Sequence, residues 1–102
     1  MKHFFLEGEH LEPFENFKHL EPAHHAFLQK GYDDKVFLFS GPQIPAHGGF
    51  LVARAESLEK LQTYLSDEPF VRTGKMRFSR ITEFAPLKFQ SFLKDWVLNK
   101  VS

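Results

Sequence analysis

Cysteine is absent from the 102 residues of this chain. Disulfides and thiolate chemistry are therefore excluded, and the composition fits a reducing compartment, so a cytoplasmic location is expected. No run approaches the roughly 20 apolar residues of a membrane span. The apolar stretch near the N-terminus, residues 3–6, is too short for a signal peptide. No membrane partner is expected. An excess of one charge is missing as well, since 13 Lys and Arg balance 13 Asp and Glu. Without a basic excess nothing drives attachment to a phosphate backbone, and nucleic acid is not an expected partner. There are no visible repeats, linkers or low-complexity tracts, and the length suits one domain over residues 1–102.

Phenylalanine is what the chain has in abundance: 13 Phe stand against two Tyr and one Trp. That much Phe implies large dry contact surfaces, in a core or at an interface. Six His make the net charge sensitive to pH near neutrality.

The pattern along the chain alternates strands and helices. Residues 3–6 form a strand ending near Gly8, and residues 9–18 form a loop around Pro13. Pro22 suits the start of a helix, because its missing N–H would have no partner there. That helix spans residues 21–30, with Gly31 as its stop. Residues 35–39 form a strand ended by Ser40, Gly41 and Pro42, and residues 48–55 form the next. Ser57 is a good N-cap for a helix carrying Leu58, Leu61 and Leu65, which ends before Pro69. Residues 75–84 alternate as a strand, with Met76, Phe78, Arg80, Thr82 and Phe84 on one side. Phe89, Phe92, Leu93, Trp96 and Val97 lie at helical spacing over residues 87–99. The order predicts an α+β, ferredoxin-like βαββαβ domain with an added C-terminal helix. The strands at 36–39 and 50–53 are apolar at consecutive positions, so both of their faces need cover. Two crossover helices cover one face. A second copy of the chain, packed sheet to sheet with help from the C-terminal helix, is the expected cover for the other.

Of the residues that could carry chemistry, His24 stands out. It lies in the first turn of a helix, where the dipole opposes the cationic ring, and a neutral imidazole can act as a base. Its competing use is a half-buried helix residue bonded to a carbonyl. Asp67 and Glu68, just before Pro69, could bring a carboxylate to it, although at the end of the second helix they would oppose the dipole. Ser40, Gly41 and Pro42 offer a hydroxyl and a backbone that a ligand can approach closely. Arg80 suits an acidic ligand or, more simply, a surface ion pair. His24 and His25 are adjacent and point about 100° apart on a helix, so they do not chelate together. There is no His-Glu-x-x-His pattern and no Gly-x-Gly-x-x-Gly loop, and no metal or cofactor is expected.

Read in order, Pro22-Ala23-His24 with Leu28, Phe39-Ser40-Gly41-Pro42, Gly48-Gly49, Ser57-Leu58-Glu59, and Glu68-Pro69-Phe70 with Gly74 resemble the YCII-related (YciI-like) family over residues 2–86. The resemblance implies a ferredoxin-like fold that pairs into a dimeric α+β barrel. It also implies a cleft centred on a His and an Asp. The His falls on His24, and the Asp position holds Glu68, with Asp67 one residue earlier. One branch of the family is similar to enzymes that eliminate chloride from chlorinated hydroxyquinones. The function so implied is acid/base chemistry on a small cyclic or aromatic compound, as a lyase or isomerase without a cofactor. His24 would be the acid or base, Glu68 or Asp67 its partner, and Ser40, Gly41 and Pro42 the substrate contacts. The alternative is a non-catalytic module that binds a small ligand in the same pocket.

Overall fold

The computed structural model describes residues 1–100. Four strands form one antiparallel sheet: β1 (Lys2–His10), β2 (Phe37–Pro42), β3 (Gly49–Ala55) and β4 (Met76–Phe84), in the order β2-β3-β1-β4. Helix α1 (Glu21–Asp33) connects β1 to β2, and α2 (Leu58–Leu65) with the short α3 (Pro69–Arg72) connects β3 to β4. This is the ferredoxin-like α+β arrangement, the fold of the dimeric α+β barrels. Two short 3₁₀ turns, Phe14–Asn16 and Lys18–Leu20, precede α1.

Alternation along β1 explains how the layers form. Phe4, Leu6 and Gly8 face the helices, while His3, Phe5 and Glu7 face the other side. Phe4, Leu6, Phe37, Leu51, Ala53, Leu61 and Leu65 make the main core between sheet and helices. Phe17, Phe70 and Met76 form a second cluster at the far end of β1. On the opposite face, Val52 packs with Trp96 and Val97.

Several boundaries differ from the sequence expectation, each for a local reason. β1 continues to His10, because the register against β4 shifts between Glu7 and Gly8 and pairing resumes at Gly8 and Phe78. Ser79 is the extra residue of that bulge. It reverses the alternation of β4, so Phe78 and Ile81 both pack on the helix side, and Arg80 points outward to Glu7 at 3.9 Å.

Gly31 does not stop α1. It lies buried inside the helix, where a Cβ would run into the Phe37 ring. The stop comes at Lys35, with φ of 63°; its N–H donates to the Tyr32 carbonyl, and that of Val36 donates to Gly31. That pair of bonds is a Schellman ending with a lysine in the left-handed position.

β2 includes Ser40, Gly41 and Pro42 rather than ending before them, and it is an edge strand. Of the two strands expected to be covered on both faces, β3 is, over Leu51, Val52, Ala53 and Arg54, and β2 is not.

The C-terminal segment is shorter than expected: a 3₁₀ turn at Ser91–Leu93 and α4 (Lys94–Val97). Arg54, only 5% exposed, fastens it to the sheet. Its Nε–H donates to the Lys35 carbonyl at 2.7 Å and its Nη1–H to the Trp96 carbonyl at 2.9 Å. The cover is partial, and Phe39 on this face remains 56% exposed.

Candidate functional site

The cleft forms where α1, the start of α3 and the ends of β1, β2 and β3 converge. Helix α1 opens with Glu21 and Pro22 and carries His24 one turn in. The second carboxylate-bearing stretch lies differently from the sequence expectation. Glu68 does not end a helix; it is the N-cap of α3, and its Oε2 accepts the Val71 N–H at 3.0 Å. A carboxylate at a helix N-terminus is favoured by the dipole, so the mismatch read in the sequence is absent. A sequence signal for this was available: a carboxylate followed by Pro at the first helical position.

Glu68 is 1% exposed, and its Oε1 lies 2.5 Å from His24 Nδ1. A carboxylate accepts, so the proton between them belongs on Nδ1, leaving Nε2 on the opposite ring edge with a lone pair. The imidazole also stacks on Phe70, with centroids 4.1 Å apart and planes 10° from parallel. A hydrogen bond in the ring plane and a phenyl beneath it fix both the position and the tilt of the ring. Asp67 is exposed and lies outside the cleft.

Beside His24 opens a cavity of about 700 Å³. Ser40, Gly41 and Pro42 all line it. Ser40 is tied to Tyr32, hydroxyl to hydroxyl, at 2.6 Å. Much of the remaining wall is apolar and includes Phe14, Phe27 and Phe78. The inner end is shaped by close backbone packing. Gly48 lies directly against the Gly8 carbonyl, where any Cβ would collide. The sequence reading missed His10, Phe70 and Tyr32, because strand, short helix and α1 bring them together only in three dimensions.

Burial lowers the pKa of His10 from its ordinary value, with smaller contributions from the nearby imidazoles of His47 and His24. Among the described residues no group of three or more His, Cys, Asp or Glu side chains is placed to hold a metal ion. No helix among them is long and apolar enough to cross a membrane.

Comparison with solved structures gives a match to 5-chloro-2-hydroxyhydroquinone dehydrochlorinase (TftG) from Burkholderia phenoliruptrix AC1100, in complex with 2,5-dihydroxybenzoquinone. The TM-score is 0.62 at 17% identity, covering 88% of this chain and 94% of that one. At that identity the likeness establishes the fold. No curated protein sequence matches. The model of the YCII-related domain matches residues 1–85. With that match over most of its length, the chain belongs to the YCII-related domain family.

Proposed function

We propose that this protein is an acid/base enzyme acting on a small cyclic or aromatic compound, by proton abstraction with isomerisation or elimination. The observation that carries the reading is the hydrogen bond between His24 and the buried Glu68 at the wall of a cavity large enough for a single-ring compound. His24 Nε2 is the acid or base. Glu68 fixes the tautomer and balances charge when the ring is protonated. Ser40 and the backbone at Gly41 and Pro42 contact the substrate, and the phenyl-rich wall suits a planar apolar ring. The chemistry draws on side chains alone. The working form is a homodimer joined through the exposed sheet face, and the absence of cysteine is consistent with a cytoplasmic setting.

The compounds associated with the structurally similar dehydrochlorinase supply the test. Wild type, His24→Gln and Glu68→Gln are compared for chloride release from 5-chloro-2-hydroxyhydroquinone and for binding of 2,5-dihydroxybenzoquinone. Wild type is expected to bind, and His24→Gln to lower turnover by about 10²- to 10⁴-fold. Binding and turnover unchanged in both variants would remove His24 and Glu68 from the chemistry.

A second reading, a non-catalytic ligand-binding module, is favoured by one observation. Glu68 already serves the fold as the N-cap of α3, so its presence does not by itself require catalysis. Tight binding of the quinone without turnover of any assayed quinol would support that reading.

A further inference from the structure

Three imidazoles line the cleft, those of His10, His24 and His25, and the function proposed above uses one. His25 is an exposed rim residue 4.0 Å from Glu21 on the same helix. His10 is held differently. It is the last residue of β1 and shares the helix-facing side with Phe4, Leu6 and Gly8. Its backbone N–H donates to the His47 carbonyl at 2.9 Å, which pins the strand end.

The His10 ring lies over Phe14, with centroids 6.0 Å apart and planes at 20°, and meets Phe17 edge-on at 5.1 Å. Phe17 in turn packs on Phe70 at 4.9 Å, and Phe70 carries His24 at 4.1 Å. His10 and His24 therefore stand at two ends of one aromatic support, both open to the same cavity. No side-chain hydrogen bond engages the His10 ring among the described residues, although the residue is half-buried. The titratable groups around it are His24 with Glu68 beneath, His47 on the loop between β2 and β3, and Glu21 and His25 at the rim. Burial and the two neighbouring imidazoles lower its pKa, which favours the neutral ring, with one N–H and one lone pair to offer.

We propose that His10 is the second substrate-contacting residue of the cleft, a neutral hydrogen-bond donor acting across from His24. His24 Nε2 takes a proton from a substrate carbon or hydroxyl, and the electron pair left behind moves into the conjugated system. The His10 N–H donates a hydrogen bond to the oxygen where that pair arrives and keeps its own proton, because a neutral imidazole is too weak an acid to give it up near neutral pH. In an isomerisation the protonated His24 returns the proton at a second atom, so one proton leaves the substrate and one joins it. In an elimination the leaving group departs with the electron pair, the proton held by His24 passes to solvent through the open rim, and His10 stabilises the oxygen that carries charge on the way.

This inference rests on the acid/base reading of the cleft, and one experiment separates the two. Imidazole ¹⁵N resonances are followed in wild type during titration with 2,5-dihydroxybenzoquinone, and its Kd is measured for His10→Gln, His24→Gln and His25→Gln. The expected result is that the His10 and His24 resonances both move while that of His3, on the opposite sheet face, stays in place. His10→Gln weakens binding roughly tenfold or more through loss of a hydrogen bond to the ligand, and His25→Gln changes it less than about twofold. If the His24 resonance moves but that of His10 does not, or if His10→Gln binds as wild type, the role of His10 is overturned and the cleft reading stands. If neither resonance moves, both are overturned.

Discussion

Glu68 answers to two elements at once. One carboxylate oxygen holds His24 and the other caps α3. Glu68→Ala should therefore lower stability by about 1–3 kcal/mol, from the lost cap and the unpaired half-buried imidazole. Asp67→Ala, one position earlier and exposed, should fall within about 0.5 kcal/mol of wild type. Urea unfolding of the two variants measures the contrast, and equal losses would contradict it. The His24 half of this pair was legible from Pro22 alone, because proline marks a helix start. The Glu68 half was not. Asp67 and Glu68 read as the end of α2 as long as α3, only four residues, went unseen. The chain contains two adjacent carboxylates, and only backbone direction decides which one turns inward.

Helix α1 shows where local signals mislead. A glycine after a helical stretch is the usual stop signal, yet Gly31 is there because α1 and β2 approach too closely for a Cβ beside Phe37. Gly31→Ala should cost about 1–3 kcal/mol as an overpacked contact, read as a drop in the urea midpoint. The true stop places Lys35 in the left-handed region, a strained choice for any side chain. Lys35→Gly should stabilise the fold by roughly 0.5–1 kcal/mol, since the Schellman bonds are all backbone. At the start of α2 the sequence was a good guide. Ser57 accepts the Lys60 N–H at 3.1 Å and starts α2 as expected. The bulge in β4 was invisible because its cause lies on another strand. Shifting register at Gly8 turns Ile81 inward, and nothing within residues 75–84 announces it.

At the scale of the whole molecule, acid should weaken the fold before the carboxylates titrate. His3 and His10 both have pKa values lowered from the ordinary histidine value, chiefly by burial. The unfolded chain therefore takes up more protons as pH falls through about 6.5, and stability falls with it until the folded-state values are passed. Thermal melts between pH 8 and 5 should show the decline, and His3→Phe should flatten it. The proposed assembly has its own measurement. Light scattering at micromolar concentration should give twice the 11.9 kDa of one chain, and a monomer mass would leave Phe39 and its exposed neighbours unexplained. The far face also contains the chain's single tryptophan. Trp96 is buried over Arg54, with its indole N–H donating to the Lys35 carbonyl at 3.1 Å. The cleft lies on the opposite side of the sheet and is lined by phenylalanine and histidine. Tryptophan fluorescence is thus spatially sorted. Emission should respond when subunits join or the C-terminal segment lifts, and stay largely indifferent to ring compounds entering the cleft, so assembly can be followed optically in unlabelled protein while ligand is present.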